Sequence, residues 1–100
     1  MSLTTVTWRP GLEITQDPDA IEVYRLRFTP WLRGEALQSV DILQDPQDVL
    51  TVDVIAQGTE TVDIRVSGGA QGDVVAVTVR SSTGTGRQQD RTIRWRILDQ

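Results

Sequence analysis

Apolar and polar residues alternate along most of this chain with a period of two, the spacing that puts one set of side chains on one face of a strand. The clearest case is Gly68 to Leu98, which reads GGAQGDVVAVTVRSSTGTGRQQDRTIRWRIL. Val74 to Arg80 is rich in β-branched residues, which suit a pleated and buried surface. In Thr92 to Leu98, Ile93, Trp95 and Ile97 fall on one side, with Thr92, Arg94 and Arg96 on the other. The pattern buries Trp95 in mid-strand. Between the two runs, Ser81 to Gln89 holds Gly84, Gly86 and little that is apolar, and is expected to be the loop of a hairpin. A hairpin cannot cover its own apolar face, so the rest of the chain has to supply a second layer.

The remaining runs fit that role. Leu3 to Trp8 predicts a short strand ended by Arg9-Pro10-Gly11. Glu13 to Ala20 carries the turn sequence Asp17-Pro18-Asp19. Ile21 to Phe28 places Tyr24, Leu26 and Phe28 inward, with Arg25 and Arg27 outward. Thr29 to Gly34 is expected to form a corner where Trp31 and Leu32 plug one end of the core. Glu35 to Ile42 predicts a weaker strand with Leu37 inward, followed by an exposed loop over Gln44 to Asp48. Leu50, Val52 and Val54 alternate with Thr51 and Asp53. After the turn Gln57 to Glu60, Val62, Ile64 and Val66 point inward again, and Ser67 to Asp73 is a glycine-rich connection. Both sides of Val74 to Val79 are apolar, which points to a central strand or a covered outer face.

About seven short strands with no useful amphipathic helix predict a single domain over residues 1–100. The expected fold is an all-β, immunoglobulin-like, two-sheet antiparallel sandwich, with a small closed barrel as the alternative. Val74 stands where such domains often carry a corner tyrosine. One hundred residues suffice for one core.

Composition narrows the chemistry. The chain has neither Cys nor His, which removes disulfides, thiolate nucleophiles and the commonest general base and metal ligand. Its net charge of −4 argues against nucleic acid held by bulk charge. All ten basic residues are Arg; a GC-rich coding sequence explains this, as does a preference for two-point interface contacts. No run reaches the ~18 apolar residues of a membrane span. The first residues lack the basic and apolar segments of a secretory signal, so synthesis in a cytoplasm is expected.

Individual motifs carry little chemistry. Gly84-Thr85-Gly86-Arg87 resembles part of a phosphate loop, but a strand rather than a helix follows it. Asp41, Asp45 and Asp48 lack the spacing of a calcium loop. No cofactor and no metal are expected. Arg25 or Arg27 is expected to pair with Asp63 across a ladder. For Arg94 and Arg96, internal pairing and contact with a neighbouring molecule both stand. Arg87 is the natural anchor of a polar loop that meets a partner, and as such is dispensable to the isolated domain; the alternative is that it pairs inside the domain, for example with Asp90, and only pins the loop.

Two segments together resemble a family. Asp17-Pro18-Asp19, Tyr24-x-Leu26-x-Phe28, Trp31-Leu32-x-Gly34 and Ser39 form the first. Ser82-Thr83-Gly84 through Gly86-Arg87, then Asp90-Arg91-Thr92-Ile93, form the second. They are similar to the small fiber–tail adaptor proteins of tailed bacteriophages. The resemblance implies a non-enzymatic structural protein of the virion, made in the host cytoplasm, that links fibers to the tail or baseplate. It implies other virion proteins as partners, neither nucleic acid nor membrane, and several copies in a symmetric assembly. Gly84, Gly86, Arg87, Arg94 and Arg96 are the candidate interface residues. A neck or head-decoration protein of the same fold is one alternative. A bacterial binding module is the other, with Trp8 and Trp31 as its only available aromatic platform.

Overall fold

The computed structural model describes residues 3–99. In chain order they form β1 (Leu3–Val6), β2 (Glu13–Gln16), β3 (Ile21–Arg27), a single helical turn α1 (Thr29–Leu32), β4 (Leu37–Asp45), β5 (Leu50–Gln57), β6 (Thr61–Gly68), β7 (Val74–Thr83) and β8 (Gln88–Ile97). One sheet has the order β1-β3-β6-β5 and the other β2-β8-β7-β4. The two stack face to face, an arrangement compatible with the immunoglobulin-like sandwich.

Three features depart from the sequence expectation. The described residues hold eight strands, because Glu13–Gln16 is itself a strand rather than part of a turn region. The sheets are mixed: β1 runs parallel to β3, and β2 parallel to β8. After β1 the chain crosses to the other sheet and lays β2 along it, so one N-terminal segment closes the same side of both layers. Finally, β7 and β8 are longer than expected and pair from Val74↔Arg96 to Ser82↔Gln88, which leaves only residues 84–87 between them.

The alternation that predicted these strands also sets the core. Tyr24, Leu26 and Phe28 from one sheet, with Val62, Ile64 and Val66 beside them, face Val75, Val77, Val79, Ile93, Trp95 and Ile97 from the other. β7 is a central strand, and its inward side is the Val75-Val77-Val79 row. Val74 is on the outer face and 43% exposed. Leu32 and Leu37 close one end of the core. β5 is the exception to the expected pattern. Leu50 is buried and Val52 is partly buried, but Val54 is exposed. β5 is an edge strand with a bulge between Val54 and Ala56; a bulge twists the strand away from its partner, and an edge has a neighbour on one side only.

At the centre, the Tyr24 and Trp95 rings meet edge-on, with centroids 5.5 Å apart and planes at 75°. Each ring brings a polar group that burial would leave stranded. Gln16, at the end of β2, resolves both: its Oε1 accepts from the Tyr24 hydroxyl at 2.9 Å and from Trp95 Nε1 at 3.2 Å. Its Nε2 donates to the Val66 carbonyl at 2.9 Å. Burial pushes the Tyr24 phenol above its ordinary value, so the neutral, donating form is held.

Trp95 has no exposed surface and cannot be replaced by a neighbour without leaving a void. Trp95→Ala is expected to destabilise the domain by about 3–5 kcal/mol, read as a fall in the urea midpoint at unchanged slope. An unchanged midpoint would contradict the packing described.

Candidate protein interface

The β7–β8 turn, residues 84–87, lies at the same end of the sandwich as α1 and the β5–β6 turn. This placement follows from the bonds between them: Arg87 donates to carbonyls of α1, Phe28 N–H donates to the Glu60 carbonyl, and Leu37 N–H to that of Thr59. Within the β7–β8 turn, Thr83 N–H donates to the Arg87 carbonyl at 2.9 Å, and Gly86 N–H to the Thr83 carbonyl at 3.1 Å. Gly86 sits at φ 92°, a conformation that costs glycine nothing and a side-chain-bearing residue a good deal. Gly84 and Gly86 are exposed at the tip.

Arg87 turns back into the domain. Its guanidinium donates to the Leu32 carbonyl at 3.0 Å, the Trp31 carbonyl at 2.5 Å and Glu35 Oε2 at 2.6 Å, and lies 4.7 Å from the centre of the Trp31 ring. The alternative, pairing inside the domain, therefore forms, with Glu35 in place of Asp90, because Asp90 binds Arg80 through two contacts of 2.9 and 3.0 Å. The Thr85 hydroxyl also donates to Glu35. The two-point contact expected of Arg87 is therefore present, and its acceptors belong to this chain. These contacts stand against the expectation that Arg87 is dispensable to the isolated domain.

A second arginine carries an arrangement that the sequence reading missed. Arg91 is 8% exposed and has no carboxylate within bonding distance among the described residues. It donates to the Arg27 carbonyl at 2.8 Å and to Gln89 Oε1 at 2.9 Å. Its guanidinium lies 4.3 Å from the Phe28 ring centre and 5.4 Å from that of Trp8. Burial pulls it below its ordinary value, yet a guanidinium keeps its charge in proteins. Phe28 and Trp31 also meet edge-on at 6.4 Å. Trp8, Arg91, Phe28, Trp31 and Arg87 thus form one continuous array of rings and cations. Guanidinium groups lie over both Trp8 and Trp31, so one face of each ring is taken within the domain. The signal for Arg91 was in the sequence: it shares the phase of Ile93, Trp95 and Ile97.

Arg94 and Arg96 stand on the outer face of the β2-β8-β7-β4 sheet, both exposed. Arg96 Nε donates to Glu13 Oε1 at 2.8 Å across the parallel β2–β8 pair. Arg94 makes no side-chain contact of this kind among the described residues, and it lines a shallow groove with Gly11, Leu12, Ala76 and Thr92. The structure thus places the five candidate residues in two separate groups, the hairpin tip with Arg87 and the sheet face with Arg94 and Arg96. On the other sheet, Arg25 pairs with Asp63 through contacts of 2.8 and 3.0 Å, as expected.

A family described as podophage GP4 fiber-tail adaptor protein gp77 matches residues 16–96. Among solved structures, the chain is similar to the cysteine protease inhibitor EhICP2 from Entamoeba histolytica. The identity is 16%, the match covers 95% of this chain and 92% of that one, and the TM-score is 0.56. This likeness concerns the fold alone. Amebosin matches at 10% identity, with 95% and 98% coverage and a TM-score of 0.48. No curated protein matches the chain.

Two outcomes follow from the contacts at the hairpin end. Arg87→Ala removes charged hydrogen bonds to two carbonyls and a carboxylate, and is expected to cost about 1–3 kcal/mol, visible as a lower melting temperature of the isolated domain. Stability within a few tenths of wild type would refute the pinning role. The Glu35 carboxyl is held below its ordinary value of 4.5, first by the Thr85 hydroxyl and then by Arg87. A depressed folded value contributes stability above the unfolded-chain value and loses it as pH falls through the folded one. Melting temperatures followed downward from about pH 6 should therefore decline less steeply in Glu35→Gln than in wild type, and parallel declines would remove Glu35 from the acid response.

Proposed function

Because the chain belongs to the podophage fiber–tail adaptor family, we propose that it joins fibers to the tail of the particle by protein–protein contacts, without catalysis. The family match, which spans most of the sandwich, carries this reading. Its role is structural, and the chain is a component of the virion; synthesis in the host cytoplasm and presence in several copies complete the proposal.

The geometry supports such a role in two ways. Every loop at the hairpin end is tied down by backbone bonds or by Arg87, so little conformational entropy remains to be lost when a partner docks. The hairpin tip, with Gly84 and Gly86, and the sheet face bearing Arg94 and Arg96 are the surfaces proposed for contact. They lie on different parts of the molecule, as a linker between two partners requires. Arg87 acts in this scheme by fixing the shape of the tip.

Cross-linking mass spectrometry on purified particles tests the reading. Cross-links from this chain to both a fiber protein and a tail protein are expected, and particles assembled without the chain should carry tails but no fibers. Fully fibered particles in its absence would overturn it.

A further inference from the structure

The outer face of the β2-β8-β7-β4 sheet has matched charges on either side of one arginine. Arg80 is satisfied by Asp90 at 2.9 and 3.0 Å, and Arg96 by Glu13 at 2.8 Å. Arg94 lies between these pairs. Its neighbour on β2 is Glu13, whose carboxylate is engaged by Arg96. Its neighbour on β7 is Ala76, which offers no polar group.

Beside Arg94 the surface dips into an open groove of about 240 Å³, lined by Gly11, Leu12, Ala76, Thr92 and Arg94. One wall is the turn from Arg9 to Leu12, closed by Leu12 N–H donating to the Arg9 carbonyl at 3.1 Å. Pro10 and Gly11 occupy its middle positions, and Gly11 takes the positive φ, 83°, that this kind of turn demands. The wall is fixed to the sheet where Arg94 N–H donates to the Leu12 carbonyl at 3.0 Å. The floor is made by Ala76, whose small side chain leaves the depression open. Thr92 is committed to Thr78 at 2.9 Å, which leaves the Arg94 guanidinium as the polar side-chain group of the lining without a partner among the described residues.

We infer that this groove receives a single Asp or Glu side chain of the neighbouring virion protein, its carboxylate on Arg94 and an adjoining apolar part against Leu12 and Ala76. The inference rests on the adaptor reading and names the chemistry of one of its contacts. A carboxylate matches the two-point geometry of a guanidinium. A polyanion such as nucleic acid is disfavoured: Arg94 is the one arginine of this sheet face without a carboxylate partner among the described residues, Glu13 and Asp90 stand on the same face, and the chain carries a net charge of −4. The strand-borne arginine and the pinned wall are already in place, so docking orders little more than the Arg94 side chain itself.

The test measures binding of the purified chain to phage particles assembled without it. Arg94→Gln keeps much of the side chain and removes its charge. Ala76→Asp supplies a carboxylate from within the chain, directly across the ladder from Arg94, and so competes with the partner. Each is expected to bind about tenfold or more weaker than wild type, the loss of one charged hydrogen-bonded contact, with a melting temperature close to wild type. Arg80→Gln, on the same face, removes an arginine already paired inside the domain and should bind as wild type does. If Ala76→Asp melts early, Arg94→Gln decides alone, since its side chain is exposed. Wild-type affinity in Arg94→Gln, or an equal loss in Arg80→Gln, overturns the inference. Failure of the wild-type chain itself to bind would instead count against the adaptor reading.

Discussion

A single buried amide holds the two layers of this domain in register. Gln16 belongs to β2 on one sheet, yet its side chain bonds to Tyr24 and to the Val66 carbonyl of the other and to Trp95 of its own. With Phe28, the two rings supply much of the large apolar surface in a core otherwise built of Val, Ile and Leu. Each would carry an unpaired donor into that core without Gln16, at a cost of about 1–3 kcal/mol per group. The amide matches these demands because its oxygen accepts twice while its nitrogen still donates. A slip of β2 by one residue would turn Gln16 outward and strand both donors, so the node specifies register as well as adding stability.

The hairpin end solves a different problem. A sandwich of short strands has to close its ends with loops, and loops bring carbonyls that need donors. Here arginine supplies them. Arg87 and Arg91 satisfy the carbonyls of Trp31, Leu32 and Arg27 while their planar faces lie against Trp31, Phe28 and Trp8. Of the two, Arg87 alone has a carboxylate as well among the described residues. The ring faces carry partial negative charge, which offsets part of the cost of holding Arg91 away from water. A lysine at either place would lose the fork of donors and the stacking together. The all-arginine composition, whatever its origin, is therefore used by the structure at these two positions.

The same residue type performs three tasks on this scaffold. Arg25, Arg65, Arg80 and Arg96 are balanced by carboxylates across the ladders, where exposed pairs of this kind contribute roughly 0–1 kcal/mol each. Arg87 and Arg91 shape one end. Arg9, Arg27, Arg33 and Arg94 have no carboxylate partner among the described residues; of these, Arg94 stands on the open β2-β8-β7-β4 face, which is why that face carries the inference about a partner. For an adaptor, this division separates what keeps the domain folded from what it offers to its neighbours.

Much of the fold was legible from alternation alone. The inward rows of Tyr24-Leu26-Phe28, Val62-Ile64-Val66 and Ile93-Trp95-Ile97 follow from a period of two, because burial acts on each strand face locally. The family resemblance was legible too, from short turn and strand motifs. Alternation says nothing about which strand lies beside which. The parallel placement of β1 and β2 and the edge position of β5, which exposes Val54, were decided by the packing of the two sheets. The inward phase of Arg91 was visible in its spacing, but a charged residue reads as solvent-facing until carbonyls and ring faces are known to await it. Arg87 shows the same limit: the sequence marks a loop arginine able to make a two-point contact. Only the fold, by bringing α1 and Glu35 beside it across more than fifty residues of chain, determined that its acceptors lie within the domain. Hydrophobic pattern is a property of neighbours along the chain, whereas the partner of a polar group is set by whichever backbone the tertiary structure delivers to it.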